Sequence, residues 1–240
     1  MKKTLSLLAV LMAAGVATTP VQAATHYVSG FGGVSWMQNV ETRLVLLTPA
    51  PINFTYGMGT GLAFTGAVGC DYGNYRIEGE AGYQTSSIKT LTASVDGVVV
   101  PQDGPAGPHT ATSSDLNGVM SAYTLMANGY YDFDLGSKVE LYATAGVGVA
   151  QVYAHDVHDT GKYSYTDGVT TFIPNTAGGI SDHATTLAWQ VGAGIAAPIS
   201  DHVKLDLRYR YFATTDFDVL AILSRNISTH SALLGLRVDF

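Results

Sequence analysis

From Val203 onward the residues alternate. Val203, Leu205, Leu207, Tyr209 and Tyr211 fall on one face, and Lys204, Asp206, Arg208, Arg210 and Phe212 on the other. A period of two predicts a strand, and the second face is too highly charged for an ordinary sandwich core. The final segment repeats the pattern. His230, Ala232, Leu234, Leu236, Val238 and Phe240 share one face, and Ser231, Gly235, Arg237 and Asp239 the other. Further strands are predicted over about residues 25–37, 60–72, 115–131, 138–153 and 184–198, with one more starting at Tyr75. In that one Tyr75, Ile77, Ala81 and Tyr83 oppose Arg76, Glu78, Glu80 and Gln84, the cleanest alternation in the chain.

Connections between these strands also alternate. Asp71 to Asn74, Asp132 to Ser137 and Ile199 to His202 are short turns. Long connections run from Asn39 to Gly59, from Thr92 to Ser114 and from Ala154 to His183, and a fourth precedes the last strand. Eight strands joined alternately by short and long connections predict an all-β fold: a closed, antiparallel, eight-stranded transmembrane β-barrel with short periplasmic turns and four long outer loops. Lipid tolerates no open sheet edge, so the last strand must pair with the first.

The beginning of the chain has a different character. Lys2 and Lys3 precede an apolar run from Leu5 to Val16, and Val21-Gln22-Ala23 supplies small residues for cleavage. This predicts a signal peptide over residues 1–23 and a barrel domain over 24–240. The apolar run is too short to span a bilayer as a helix. Without Lys2 and Lys3, 10 basic residues remain against 19 acidic ones, a formal charge of −9, so nucleic-acid binding is not expected. Cys70 stands alone and permits no intramolecular disulfide.

The stretches VGCDYGNYRIEGEAGYQ (68–84), YTLMANGYYDFDLGSKVELYATAGVGVA (123–150) and WQVGAGIAAPISDHVKLDLRYRYF (189–212), with the closing Phe240, resemble the opacity-protein and surface-antigen group of eight-stranded outer-membrane barrels, of the OmpA-like, porin-family type. Cys70 departs from the pattern, standing where an aromatic residue is expected. The resemblance implies a cell outer-membrane location and lipid contact. It also implies that Leu236, Val238 and Phe240 form a C-terminal signal for the barrel-assembly machinery. Members of the group are adhesins, surface antigens, small pores or structural proteins.

If the apolar faces look at lipid, the opposite faces place Arg76, Lys204, Arg208, Arg210 and Arg237 with Glu78, Glu80, Glu140, Asp206 and Asp239 in one lumen. Charge in a narrow barrel must be paired, and eight strands leave an interior that side chains can fill. A salt-bridged plug is the expectation, with a narrow path for ions or small solutes as the alternative. Tyr27, Tyr75, Tyr83, Tyr123, Trp189, Tyr209 and Phe240 are expected mostly in the interfacial aromatic girdles.

No enzyme, cofactor or metal site is expected. His230 and Ser231 are adjacent on a strand and so face opposite ways, and His155, His158, Asp159 and His183 suit a solvated loop. Two apolar loop segments remain: Leu44, Val45, Leu46 and Leu47, and Val219, Leu220, Ile222 and Leu223. They predict either a local core between the first and fourth loops or a contact surface for a host or matrix protein. The expected function is that of a structural or antigenic surface barrel, adhesive through its loops.

Overall fold

The computed structural model describes residues 24–44, 52–95, 109–113, 116–136, 138–159, 163–165, 180–219, 222–224 and 226–240. Fourteen strands follow in order: β1 Thr25–Met37, β2 Val40–Leu44, β3 Ile52–Met58, β4 Thr60–Asp71, β5 Tyr75–Val95, β6 His109–Ser113, β7 Leu116–Phe133, β8 Glu140–Asp159, β9 Tyr163–Tyr165, β10 Ile180–Pro198, β11 Val203–Thr214, β12 Phe217–Val219, β13 Ile222–Ser224 and β14 Ser228–Asp239. The proposed signal peptide, residues 1–23, lies outside the described residues.

Eight of these strands close a ring. β1 pairs with β4, β4 with β5, β5 with β7, β7 with β8, β8 with β10, β10 with β11, β11 with β14, and β14 returns to β1, every pair antiparallel. The closing pair runs from Tyr27 opposite Asp239 to Met37 opposite Thr229. Closure satisfies every edge, as a sheet in lipid requires. Side chains alternate around the wall. Val68, Ile77, Leu125, Val147, Leu187, Leu207 and Leu234 are exposed, whereas Arg76, Glu78, Glu80, Arg208, Arg210 and Arg237 are buried. Apolar outside and polar inside is the inverse of a soluble barrel and the pattern that lipid imposes.

Two short turns use the same device. The Asp71 carboxylate accepts from the Gly73 amide at 2.8 Å, and the Asp134 carboxylate from the Gly136 amide at 2.9 Å. Both glycines have positive φ, 92° and 62°, which a side chain would strain.

The long connections depart from expectation. They are not loops throughout: strand structure extends into each. The β2–β3 hairpin pairs with the outer half of β5. β6 pairs with β5, β9 with β6, and the β12–β13 hairpin reaches β2 through Ser224 opposite Thr42. β5, β7, β8 and β10 have 21, 18, 20 and 19 residues, against 13, 12, 12 and 12 in β1, β4, β11 and β14. The long strands continue past the barrel because partners extend with them. That pairing is invisible to local alternation, and irregular registers near Asn117 and Ile180 blur it further.

Candidate functional site

The ring places five strands' inward residues in order from the short-turn end. β5 offers Arg76, Glu78, Glu80 and Gln84 before it reaches Ile88. β11 offers Asp206, Arg208 and Arg210 before Phe212. β8 offers Glu140, Tyr142 and Thr144 before Ala150, Val152 and Ala154. β7 passes from Asp132, Tyr130 and Asn128 to Met126, Ala122 and Met120, and β10 from Gln190 to Ala188. The lumen therefore has two storeys, one charged and one mainly apolar, the latter with Thr124, Thr186 and Thr214 among its side chains.

Two groups of ion pairs make up the polar storey. At the mouth, Lys204 bridges Glu140 at 2.6 Å and Asp239 at 3.3 Å, Arg237 also bonds Glu140, and Arg76 donates twice to Asp132 at 2.7 Å each. Deeper in, Glu80 accepts from Arg208 at 3.1 Å, Arg210 at 3.4 Å and Gln190 at 3.2 Å. Glu78 accepts from Tyr27 at 3.1 Å and Tyr130 at 2.6 Å. Tyr142 links the groups: its hydroxyl donates to Asp206 at 2.5 Å and accepts from the Arg208 Nε at 3.2 Å, and its ring lies under the Arg76 guanidinium. Of the ten charged residues expected to face inward, nine lie in these ion-paired groups, and Asp206 joins them through Tyr142. Their burial differs: Lys204, Glu140 and Asp239 are half-buried at the mouth, and the other seven are buried.

Sequence reasoning missed several members. Asp132 was expected in a turn, but it is the last residue but one of β7 and faces Arg76. Tyr27 was expected among the girdle residues, yet it is 1% exposed and bonded to Glu78. Its place depends on Gly69, where a Cβ would overlap the Tyr27 ring; Gly194 makes the same room for the Tyr142 hydroxyl. The Arg76 guanidinium stacks over Tyr130 at 4.4 Å and Tyr142 at 4.9 Å, and that of Arg208 over Phe31 at 3.9 Å. The signal was present in the parity that Tyr130 shares with Asp132 and Tyr142 with Glu140, whereas β1 carries no charged neighbour to mark Tyr27.

The apolar storey joins Met37, Val40, Ile88, Met120, Met126, Phe212, Phe217 and Ile227, closed by small Ala side chains from β7, β8 and β10. Tyr56, Met58 and Leu91 pack against it from the outer strands. Burial alone raises the Tyr56 phenol above its ordinary pKa.

Outside the wall, Tyr75, Tyr123, Trp189, Tyr209 and Phe240 are exposed and Tyr83 is half-buried. The Phe240 amide donates to the His26 carbonyl at 2.8 Å, and Leu236, Val238 and Phe240 all face outward. His230 faces outward too, bonded to Tyr209 at 2.6 Å, while Ser231 is fully buried in the lumen. His155 and His183 each stack on Tyr153, at 5.5 and 5.4 Å. Among the described residues no group of three or more His, Cys, Asp or Glu could hold a metal ion.

Of the apolar loop segments, Val45, Leu46, Leu47 and Leu220 lie outside the described residues. Leu44 ends β2, Val219 ends β12, and Ile222 and Leu223 belong to β13, so the main chains of the first and fourth connections adjoin through the β13–β2 pair.

The fold resembles that of Neisserial surface protein A (NspA), at 17% identity and a TM-score of 0.50 over 90% of this chain and 97% of that chain. Less similar are Ail, the attachment invasion locus protein of Yersinia pestis, at 13% identity and 0.39 over 90% and 99% of the two chains, and the outer membrane protein OprG from Pseudomonas aeruginosa, at 10% and 0.34 over 91% and 96%. The comparison with curated proteins finds no match. The model of the outer membrane protein β-barrel domain matches residues 6–240. With that match over nearly the whole chain, and a closed ring whose apolar side chains face outward, the protein belongs to the family of outer-membrane β-barrel proteins and resides in the outer membrane.

Proposed function

We propose that this barrel is a structural and antigenic surface protein whose working part is its outer end, adhesive through the loops, with no catalytic role and no through passage in the lumen. The observation that carries this reading is the contrast between the two ends of the fold. The lumen is filled by buried ion pairs and then by hydrocarbon, whereas the outer strands continue the sheet beyond the ring and present the longest connections. In family architecture the short turns face the periplasm and the long connections face outward.

The test has two arms. Refolded Ala24–Phe240 is expected to be silent in a planar bilayer; discrete channels would move the assignment to the narrow pore, with Arg208 and Arg210 as its filter. Replacing residues 44–47 and 219–223 with Ser and Gly is expected to abolish cell or matrix binding while the barrel stays folded. Unchanged binding would sink the adhesive role of these segments.

Two features of assembly belong to the same reading. Residues 1–23 act as a signal peptide, so sequencing of the mature protein begins at Ala24. The outward Leu236, Val238 and Phe240 stripe addresses the assembly machinery. Phe240→Ala is therefore expected to slow machinery-assisted insertion into vesicles more than unaided refolding in detergent. Equal slowing would make the residue merely structural.

A further inference from the structure

Above its apolar band, the outside of the wall carries a row of rings. Phe64 on β4, Tyr83 on β5, Tyr123 on β7, Tyr153 on β8 and His183 on β10 follow one another across five neighbouring strands. The register sets Phe64 opposite Tyr83, Tyr83 opposite Tyr123, and Tyr153 opposite His183. Ring centroids lie 4.9 Å apart for Tyr83 and Tyr123, 5.8 Å for Tyr123 and Tyr153, and 5.4 Å for Tyr153 and His183. Phe64, Tyr123 and His183 are exposed, and Tyr83 and Tyr153 half-buried. A girdle of rings anchors such a barrel at headgroup level. Directly above this one comes a surface of hydroxyls.

β5 continues upward through Thr85 and Ser87, which face out because Gln84, Ser86 and Ile88 are buried inside. At Lys89 the register shifts and the parity reverses. Leu91 packs inward with Tyr56 against the apolar storey, so Thr90 and Thr92 take the outer face. Glycines leave room for two of these hydroxyls: a Cβ on Gly57 would overlap Thr90 Oγ1, and one on Gly59 would overlap Ser87 Oγ. The row through Thr92 runs on across the sheet, with Thr55 on one side, Thr112 on the other and Ser164 beyond it. The next row joins Asn53, Ser94 and Thr110. Among the described residues of these rows, charge enters only at Lys89 and on β2, where Glu41 stands opposite Thr55 and Arg43 opposite Asn53.

Flat rings and neutral hydroxyls together suit a sugar. The C–H face of a pyranose carries slight positive charge and packs on the negative face of an aromatic ring, and its hydroxyls exchange water for Ser, Thr and Asn partners. A phosphate-rich partner would call for Lys or Arg in the row itself, and an apolar one would strand the hydroxyls without water. The row is also continuous with the lipid-facing wall, since Leu125 on β7 and Leu187 on β10 are exposed just below it. A molecule with both acyl chains and sugar covers the two surfaces at once. We propose that the outer face of the β5–β7–β8 wall docks a glycolipid of the outer leaflet. Its acyl chains lie on the apolar band, its first sugar rests on Tyr123 and Tyr153, and further sugars run up the hydroxyl rows. The site goes beyond the adhesive reading and uses neither the loop tips nor the lumen.

Competition between lipids tests it. The folded barrel in detergent micelles is offered equal amounts of a dihexosyl diacylglycerol and a phosphatidylglycerol with the same acyl chains, and native mass spectrometry counts the lipid retained. The glycolipid is expected in about fivefold excess, the scale of one or two aromatic contacts. Tyr123→Leu with Tyr153→Leu keeps the wall apolar and should bring the ratio to about one. Thr90→Val with Thr92→Val should lower it about twofold. Trp36→Leu with Tyr211→Leu, in the aromatic arc that flanks β14, should leave it unchanged. Heat-dependent electrophoretic mobility checks that each variant is folded. If the tyrosine pair does not fold, a photoreactive hexose lipid on the parent barrel takes its place, with crosslinks expected in residues 119–123 and 151–155. Equal retention of both lipids by the parent, a preference for phosphatidylglycerol, or crosslinks elsewhere overturns the site. So does an equal loss in the Trp36 and Tyr211 variant, which would mark a general girdle effect. Displacement by a free dihexoside without acyl chains overturns the glycolipid as occupant.

Discussion

Below the level of Phe212 the lumen is filled by charge, and above it mainly by hydrocarbon, within one continuous wall. In the lower part the charged side chains depend on named partners: Glu80 serves Arg208, Arg210 and Gln190 at once. In the upper part the contacts are non-directional, and Met37, Met58, Met120 and Met126 supply flexible, unbranched filling. Specificity of fit therefore resides near the periplasmic end, and tolerance near the outer end.

Substitutions can break this comparison. Glu80→Ala removes the shared carboxylate and leaves two buried guanidinium groups short of a partner. It is expected to cost about 3–5 kcal/mol in urea unfolding of the vesicle-embedded barrel. A loss below about 1 kcal/mol would mean that water screens the pairs well enough to make them dispensable. Tyr27→Phe keeps the ring packed over the space at Gly69 but removes a hydrogen bond to a buried carboxylate. About 1.5–3 kcal/mol is expected by the same measurement. Met120→Leu, in the upper storey, should cost under about 1.5 kcal/mol, because volume-conserving apolar exchanges repack. If Met120→Leu proved as costly as Glu80→Ala, the proposed division between specific and tolerant storeys would collapse.

The ring itself was legible because each of its strands carries several cycles of strict alternation. The Arg76–Glu78–Glu80 and Asp206–Arg208–Arg210 triplets stand out by parity alone. Partner choice was not legible. That Arg76 takes Asp132, 56 residues away, follows from the β5–β7 register and from β7 running on into a segment that looked like a turn. The apolar storey was legible in principle. Phe212 has the parity of Arg208 and Arg210, and Met120 and Met126 share a face with Asn128, so hydrocarbon on an otherwise polar face was already on view. Its meaning emerges only when five strands are aligned by height, which a single strand's pattern does not encode. The outer strands β2, β3, β6, β9, β12 and β13 were least legible, being short and held by partners distant in the chain.

The unequal strand lengths have a consequence for reach. About 9–11 tilted residues suffice to cross the bilayer, so a 21-residue β5 carries its hydrogen-bonded backbone roughly 25 Å further, taking about 3.3 Å per residue and a tilt near 45°. β7, β8 and β10 rise beside it, and β2, β3, β12 and β13 carry the wall on beyond β1, β4, β11 and β14, each after a break of one to three residues. The cell surface thus meets a raised parapet rather than a flush rim. Whatever touches its crest does so against a hydrogen-bonded wall standing clear of the lipid headgroups.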